Sequence, residues 1–111
     1  MNTMRNKVTL IGNLGNTPEV KMFEGDKKMA RLSIATNETY KNKKGERVTD
    51  TTWNNVVAWG PLVNIIEKHT QKGSEVAIEG RLVNRNYTDK EGIKRYTTEI
   101  HMSDLLLLGG K

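Results

Sequence analysis

An all-β fold is predicted for this chain: a five-stranded Greek-key barrel with one α-helix between the third and fourth strands. Three observations predict it. Apolar residues recur with period two through most of the chain, the mark of strands that bury one face. Clusters of Gly, Asn, Asp and Lys cut these runs apart. A period of 3.6 occurs only once, so a single helix is expected.

The first strand covers about residues 7–14, where Val8 and Leu10 alternate with Lys7 and Thr9 before Gly12 permits a bulge or sharp bend. A turn over Asn16, Thr17 and Pro18 ends it. The second, about residues 29–38, sets Ala30, Leu32 and Ile34 on one face and Arg31, Ser33 and Ala35 on the other. Residues 41–50 are too polar for a core and read as a long mobile loop. The third strand, about residues 51–59, stops at Gly60-Pro61, and Pro61 suits the first turn of a helix because its missing N–H would be unpaired there anyway. Leu62, Ile65, Ile66 and His69 form the helical stripe, and Gly73 is the expected stop.

The fourth strand, about residues 75–87, turns Val76, Ile78, Gly80 and Leu82 inward and Glu79, Arg81, Val83, Arg85 and Tyr87 outward. A loop at Asp89-Lys90-Glu91-Gly92 leads into a last strand near residues 93–107. A four-residue loop would pair Arg85 with Tyr96 and turn Ile100 and Met102 outward, whereas a bulge or another loop length would reverse that, so the register stays open. Three strands, a helix and a hairpin follow the order of the oligonucleotide-binding fold, a partly open barrel that leaves one face and two loops for a ligand.

The 111 residues leave room for one domain, residues 1–111. A chain of this size buries roughly 65% of its unfolded surface. With 18 Lys and Arg against 13 Asp and Glu, the net charge of +5 favours a polyanionic partner. The absence of cysteine excludes disulfides and thiolate metal sites. The opening residues lack an apolar signal segment and the longest all-apolar run is residues 105–108, so a soluble, intracellular (cytoplasmic) protein without membrane contact is expected.

Trp53 and Trp59 lie six residues apart on one strand, so they share a face about 20 Å long at roughly 3.3 Å per residue. That separation exceeds one base. As ligand contacts they would serve different nucleotides of an extended strand, since stacking is nearly blind to sequence; as core residues they would simply pack. Arg81, Arg85 and Tyr87 share the outward face of the fourth strand, whose first half carries Glu75 and Glu79, so nucleic acid is expected to cross the second half. Arg31 faces outward on the second strand. Beside Tyr40, the run Lys41, Lys43, Lys44 and Arg47 reads as a basic arm that could fold over a bound strand, or as a solvated loop.

Catalytic signals are weak. His69 and His101 lack neighbours at metal-ligand spacing, and Gly12-Asn13-Leu14-Gly15 lacks the Lys-Ser/Thr of a phosphate loop. Neither metal, cofactor nor enzymatic activity is expected, although Asp50, Glu99 and Asp104 could converge from distant parts of the chain.

The ordered segments Asn6-Lys7-Val8-Thr9-Leu10-Ile11-Gly12-Asn13-Leu14-Gly15 with Pro18-Glu19-Val20, Ile34-Ala35-Thr36, Trp53 with Val56-Val57, Lys72-Gly73-Ser74-Glu75-Val76 with Ile78-Glu79-Gly80, and Tyr96-Thr97-Thr98-Glu99 resemble those of bacterial single-stranded DNA-binding proteins. The resemblance implies an oligonucleotide-binding barrel that coats exposed single strands in replication, repair and recombination, as a homotetramer or, in the primosome-like accessory branch, a dimeric adaptor. By position, Tyr40, Trp53, Trp59 and Tyr87 fall where the family stacks bases, with Tyr for Trp at the first and last and Trp for Phe at the third. Lys7, Lys72, Arg85 and Arg95 fall at cationic positions, and Lys43, Arg31 and Arg81 complete the expected binding set. Pro61 and Val83 stand where basic residues are frequent, and Asn54 replaces a histidine found near a subunit interface. The family's usual acidic tip has no counterpart before Gly109-Gly110-Lys111, so recruitment of partners through a tail is not expected.

Overall fold

The computed structural model describes residues 3–25 and 27–108; Gly109, Gly110 and Lys111 lie outside them. After a short 3-10 turn at Thr3–Asn6 come strands β1 (Val8–Leu14), β2 (Glu19–Phe23), β3 (Lys27–Lys41) and β4 (Arg47–Trp59), helix α1 (Pro61–His69), and strands β5 (Glu75–Thr88) and β6 (Lys94–Leu107). Five strands close a barrel in the order β1-β5-β6-β4-β3, with Asn13 and Leu14 of β1 pairing back to Ala35 and Ile34 of β3. All these pairings are antiparallel except the short parallel one between β4 and β6. Closure depends on close backbone approach at Gly12, where any Cβ would collide with the Ala35 carbonyl.

The expected five-strand count omitted β2. This strand pairs with Lys27–Arg31 along the same edge of β3 that β1 uses further on, so it flanks the barrel. Its alternation was masked by brevity and charge: only Val20 is even half-buried.

The inward row Ala30, Leu32 and Ile34 meets Val56 and Ala58 of β4, Val76 and Ile78 of β5, and Ile100 and Met102 of β6. Helix α1 seals one end with Val63 and Ile66, which are fully buried, while Leu62 packs at the margin. Ile65, expected in the stripe, faces solvent instead, because the buried line runs through residues 62, 63 and 66. The helix also stops before Gly73: the N–H and Oγ of Thr70 both donate to the Ile66 carbonyl at 3.1 and 2.6 Å, satisfying the last turn. Lys28 Nζ tethers α1 to β3 through Asn64 and Glu67.

Residues 41–50 are not a long loop. β3 and β4 continue as an exposed two-stranded ribbon to a five-residue turn over residues 42–46. Asn42 Oδ1 accepts the N–H groups of Lys44 and Glu46 at 2.9 and 3.0 Å, so the turn is tied down. Polarity here reflects a ribbon wetted on both faces.

The last hairpin also has five residues in its turn, 89–93, pairing Arg85 with Thr97 and Leu82 with Ile100. That register turns Ile100 and Met102 inward. A bulge at Ser103 then shifts the pairing, opposing Glu79 to Asp104 and Ile78 to Leu105, and brings Leu105 to the edge of the core. Leu82 has inward parity yet is 46% exposed, because it lies where the β5–β6 hairpin leaves the barrel. No helix among the described residues is long and apolar enough to cross a membrane.

Candidate nucleic-acid interface

One outer face of the sheet collects most of the expected site residues. Odd-numbered positions of β3, β4 and β5, and of β6 as far as His101, lie on the outer face together, since the register matches Arg31 with Val57, Val57 with His101, and Arg81 with His101. This face carries Arg31, Trp53, Asn55, Trp59, Glu99, Arg81, Arg85 and Tyr87. Arg95 joins it as the cross-strand partner of Tyr87.

The aromatics are not core residues. Trp53 is 61% exposed, Trp59 44% and Tyr87 49%. The indole of Trp53 lies over Gly15, where a Cβ would run into the ring, so the absent side chain gives one ring face a seat and leaves much of the indole in solvent. Trp59 leans on Phe23 with ring centroids 5.9 Å apart and an interplanar angle of 32°. Phe23 belongs to the strand missed by sequence reasoning; the alternation of Val20 with its charged neighbours was the signal that could have found it.

Between the aromatic ends runs a groove of about 480 Å³, bordered by Arg31, Ser33, Asn55, Arg85, Tyr87 and Thr97. Glu99 lies in its floor. A second cleft of about 580 Å³ adjoins Trp59, with Lys7, Arg81 and His101 on its walls. Lys7 is partly neutralised there by Glu79 at 3.2 Å.

Glu99 is the residue whose role sequence reasoning did not see, because the open register of the last strand left its face unassigned. It is only 4% exposed, and its Oε2 accepts from Arg31 at 3.0 Å and Arg85 at 3.3 Å while Oε1 lies 3.4 Å from His101 Nε2. Burial pushes its carboxyl up, but hydrogen bonds from Arg31 and His101 and attraction to Arg85 and Arg31 outweigh burial and hold it below the ordinary glutamate value. Asp50 and Asp104 do not join it: Asp50 opposes Glu38 on the ribbon and Asp104 opposes Glu79. Among the described residues no group of three or more His, Asp or Glu is placed to hold a metal.

The remaining expected residues lie apart. Tyr40, 49% exposed, pairs with Val48 on the opposite face of its ribbon from Trp53. Lys43 sits in the turn at the ribbon tip. Lys72 precedes Gly73, whose N–H donates to the Leu14 carbonyl, so it lies at the Trp53 end of the barrel. Asn54 donates to the carbonyls of Ile34 and Thr52, both on its own hairpin. Tyr96, the most exposed aromatic at 72%, faces away from the groove opposite Asn86.

An open barrel face of exposed aromatics among arginines corresponds to a known family: residues 5–108 match the Single-strand binding protein family. The chain belongs to that family. It is 43% identical over 107 residues to Single-stranded DNA-binding protein 1 of Xylella fastidiosa, covering 96% of this chain and 79% of the relative. Identity to the protein of the same name from Chlorobaculum tepidum is 42%, and to the single-stranded DNA-binding protein of Xanthomonas campestris 38%. The chain spans 66% and 62% of the lengths of these two relatives. Its fold is similar to a Plasmodium falciparum SSB solved in complex with ssDNA, with a TM-score of 0.85 and 33% identity over 93% of this chain and 94% of the other. Single-strand binding proteins are binding proteins rather than enzymes, in keeping with a site built of aromatic and cationic groups.

Proposed function

We propose that the chain binds single-stranded DNA with little regard to sequence, as one oligonucleotide-binding domain that protects exposed strands during replication, repair and recombination. The observation that carries this reading is the exposure of Trp53, Trp59 and Tyr87 on one face with Arg31, Arg81, Arg85 and Arg95 among them. Each base offers a π-face, so stacking on such rings is worth about 1 to 3 kcal/mol per base whatever the sequence. The arginines supply phosphate contacts, and Lys7, Lys43 and Lys72 extend the positive field toward the margins. Tyr40 serves as a further stacking surface if the strand wraps around the β3–β4 ribbon. Family membership and the ssDNA complex of the structural neighbour support the ligand.

The protein works as a homo-oligomer, a tetramer in this reading. Residues 8–12 of β1 pair with β5 on one edge, and among the described residues nothing pairs with the other edge. Beside that edge Ile11, Ala77 and Leu106 form a cross-strand row, with Ile11 60% and Leu106 63% exposed. A free strand edge flanked by apolar side chains is a site for another chain. Asn54 is already bonded within its own hairpin and adds little to such a contact. A DNA-coating role places the protein in the cytoplasm with the nucleoid.

Titration with oligo-dT of graded length tests the reading. Tryptophan fluorescence is expected to fall on binding, with affinity rising until the oligonucleotide spans the track and dropping steeply as salt rises. Unchanged fluorescence and no gel shift at low salt would overturn it, and light scattering gives the assembly size.

A further inference from the structure

A buried carboxylate in the floor of a DNA-binding groove is at first sight misplaced, because it repels phosphate. Its surroundings explain it. Every ionisable side chain bonded to Glu99 is a base: Arg31 from β3, Arg85 from β5 and His101 from β6. The neighbouring strand β4 contributes only the uncharged Asn55 and Val56 to the groove, while β2 places Glu19 at the rim. One oxygen, Oε2, receives an NH1 from each arginine, so both guanidiniums are held by one edge. A guanidinium has five N–H donors, so most remain for a ligand. Both side chains stay accessible, Arg31 at 39% and Arg85 at 49%, whereas the carboxylate between them does not, at 5%.

We infer that Glu99 is a positioning residue of the DNA track: it draws two long, otherwise mobile arginines together and presents their free donors to adjacent phosphates. This rests on the proposed function and deepens it. An unrestrained arginine loses rotamer freedom when it binds phosphate, whereas one already held by a buried carboxylate has lost much of it on folding. Preorganisation and charge therefore pull in opposite directions, which makes the sign of a substitution informative.

Glu99→Gln keeps the shape and removes the negative charge. If Glu99 positions the arginines, oligo-dT binding weakens about fivefold to tenfold although the face becomes more positive, a loss of preorganisation. If Glu99 merely opposes phosphate, binding tightens, and tighter or unchanged affinity overturns the inference. Thermal melts confirm that the compared proteins are folded at the assay temperature. A second variant leaves the carboxylate in place: Arg31→Lys with Arg85→Lys conserves every charge but replaces the planar forks with point charges. It is expected to weaken binding comparably, and adding Glu99→Gln to it then costs less than Glu99→Gln alone. Should the lysine pair bind like the wild type, or the two effects simply multiply, the inference fails. A wild type that does not bind oligo-dT at low salt defeats the proposed function itself; a wild type that binds while both variants match it defeats only the role of Glu99.

Discussion

The two hairpin arms end in the same turn, built from different charges. Asn42 and Asp89 each open a five-residue turn with Oδ1 accepting from the N–H groups two and four residues later, and each turn has a left-handed glycine at its fourth position, Gly45 or Gly92. The β3–β4 arm anchors its turn with a neutral amide, and residues 41–47 carry four cations and one carboxylate. The β5–β6 arm anchors it with a carboxylate that also takes Arg95 Nε at 3.0 Å. Among the described residues the cations of the first tip make no ion pair, whereas the second spends part of its charge on its own structure. The same backbone solution can therefore serve either reach or rigidity, depending on whether the first residue is an amide or an acid.

The largest effect should appear where the arms leave the barrel. Trp53 stands at the root of one and Tyr87 lies along the other. Trp53→Ala is expected to weaken oligo-dT binding by about 1 to 3 kcal/mol with little change in melting temperature, because the ring is a platform over Gly15 and not part of the core. Tyr87→Ala should do likewise, to a smaller extent for the smaller ring. A core change such as Ile34→Ala should do the reverse, costing roughly 2 to 5 kcal/mol of folding stability. Calorimetric melts and fluorescence titrations on the same variants decide it; loss of stability in Trp53→Ala would make that ring structural and break the assignment of both arms to binding.

The similarity of the two turns also shows how far sequence can be read. The strands with an apolar row, such as Ala30-Leu32-Ile34 and Val76-Ile78, were legible because period two and burial coincide there. Asp89 to Gly92 was legible as a turn because Ile93 and Tyr96 resume a strand-like run. Asn42 to Gly45 likewise sets a glycine three residues after its first residue, but lysines surround it and no apolar row signals the ribbon. Polar strands projecting from a barrel obey hydrogen bonding without burying anything, and hydrophobic pattern is silent about them. Register was hidden for a related reason: one residue in the turn length reverses the faces of β6, and the bulge at Ser103 changes the phase again. Of the site, the outward parity of the tryptophans and arginines was readable along each strand. The burial of Glu99 was not, since it depends on two arginines from strands far apart in sequence closing over it.

Acid should separate the tips. The Ile93 N–H donates to Asp89, and with Arg95 and the Glu91 N–H it outweighs desolvation and holds the Asp89 carboxyl below its ordinary value. A depressed folded value means that the bonded carboxylate stabilises the turn at pH above the unfolded value of about 3.9, and that this contribution disappears as pH falls through the lower folded value. Amide exchange or chemical shifts of Glu91 and Ile93 should therefore report loosening below about pH 4, while Lys44 and Glu46, held by the Asn42 amide, hold their protection. Asn42→Ala should open the other turn at every pH, at a cost of about 1 kcal/mol for a lost hydrogen bond. Equal acid sensitivity at both tips would remove the distinction between amide and acid anchors.

The smallest effect concerns charge at the tips. Lys43 and Lys90 occupy the same position of the two turns, one after Asn42 and one after Asp89. If the β3–β4 tip reaches over bound DNA, Lys43→Ala should lower the slope of log affinity against log salt by about 0.7, the release expected for one single-strand phosphate contact. Lys90→Ala should change it less, because the acidic anchor and Glu91 already offset positive charge around it. Neither change should alter the melting temperature, since both side chains are exposed and make no ion pair among the described residues. Salt titrations of the two variants with a long oligo-dT measure the difference directly. Slopes lowered equally by the two changes would mean that the arms meet DNA alike, and a slope that Lys43→Ala leaves unchanged would make the basic tip only a solvated turn.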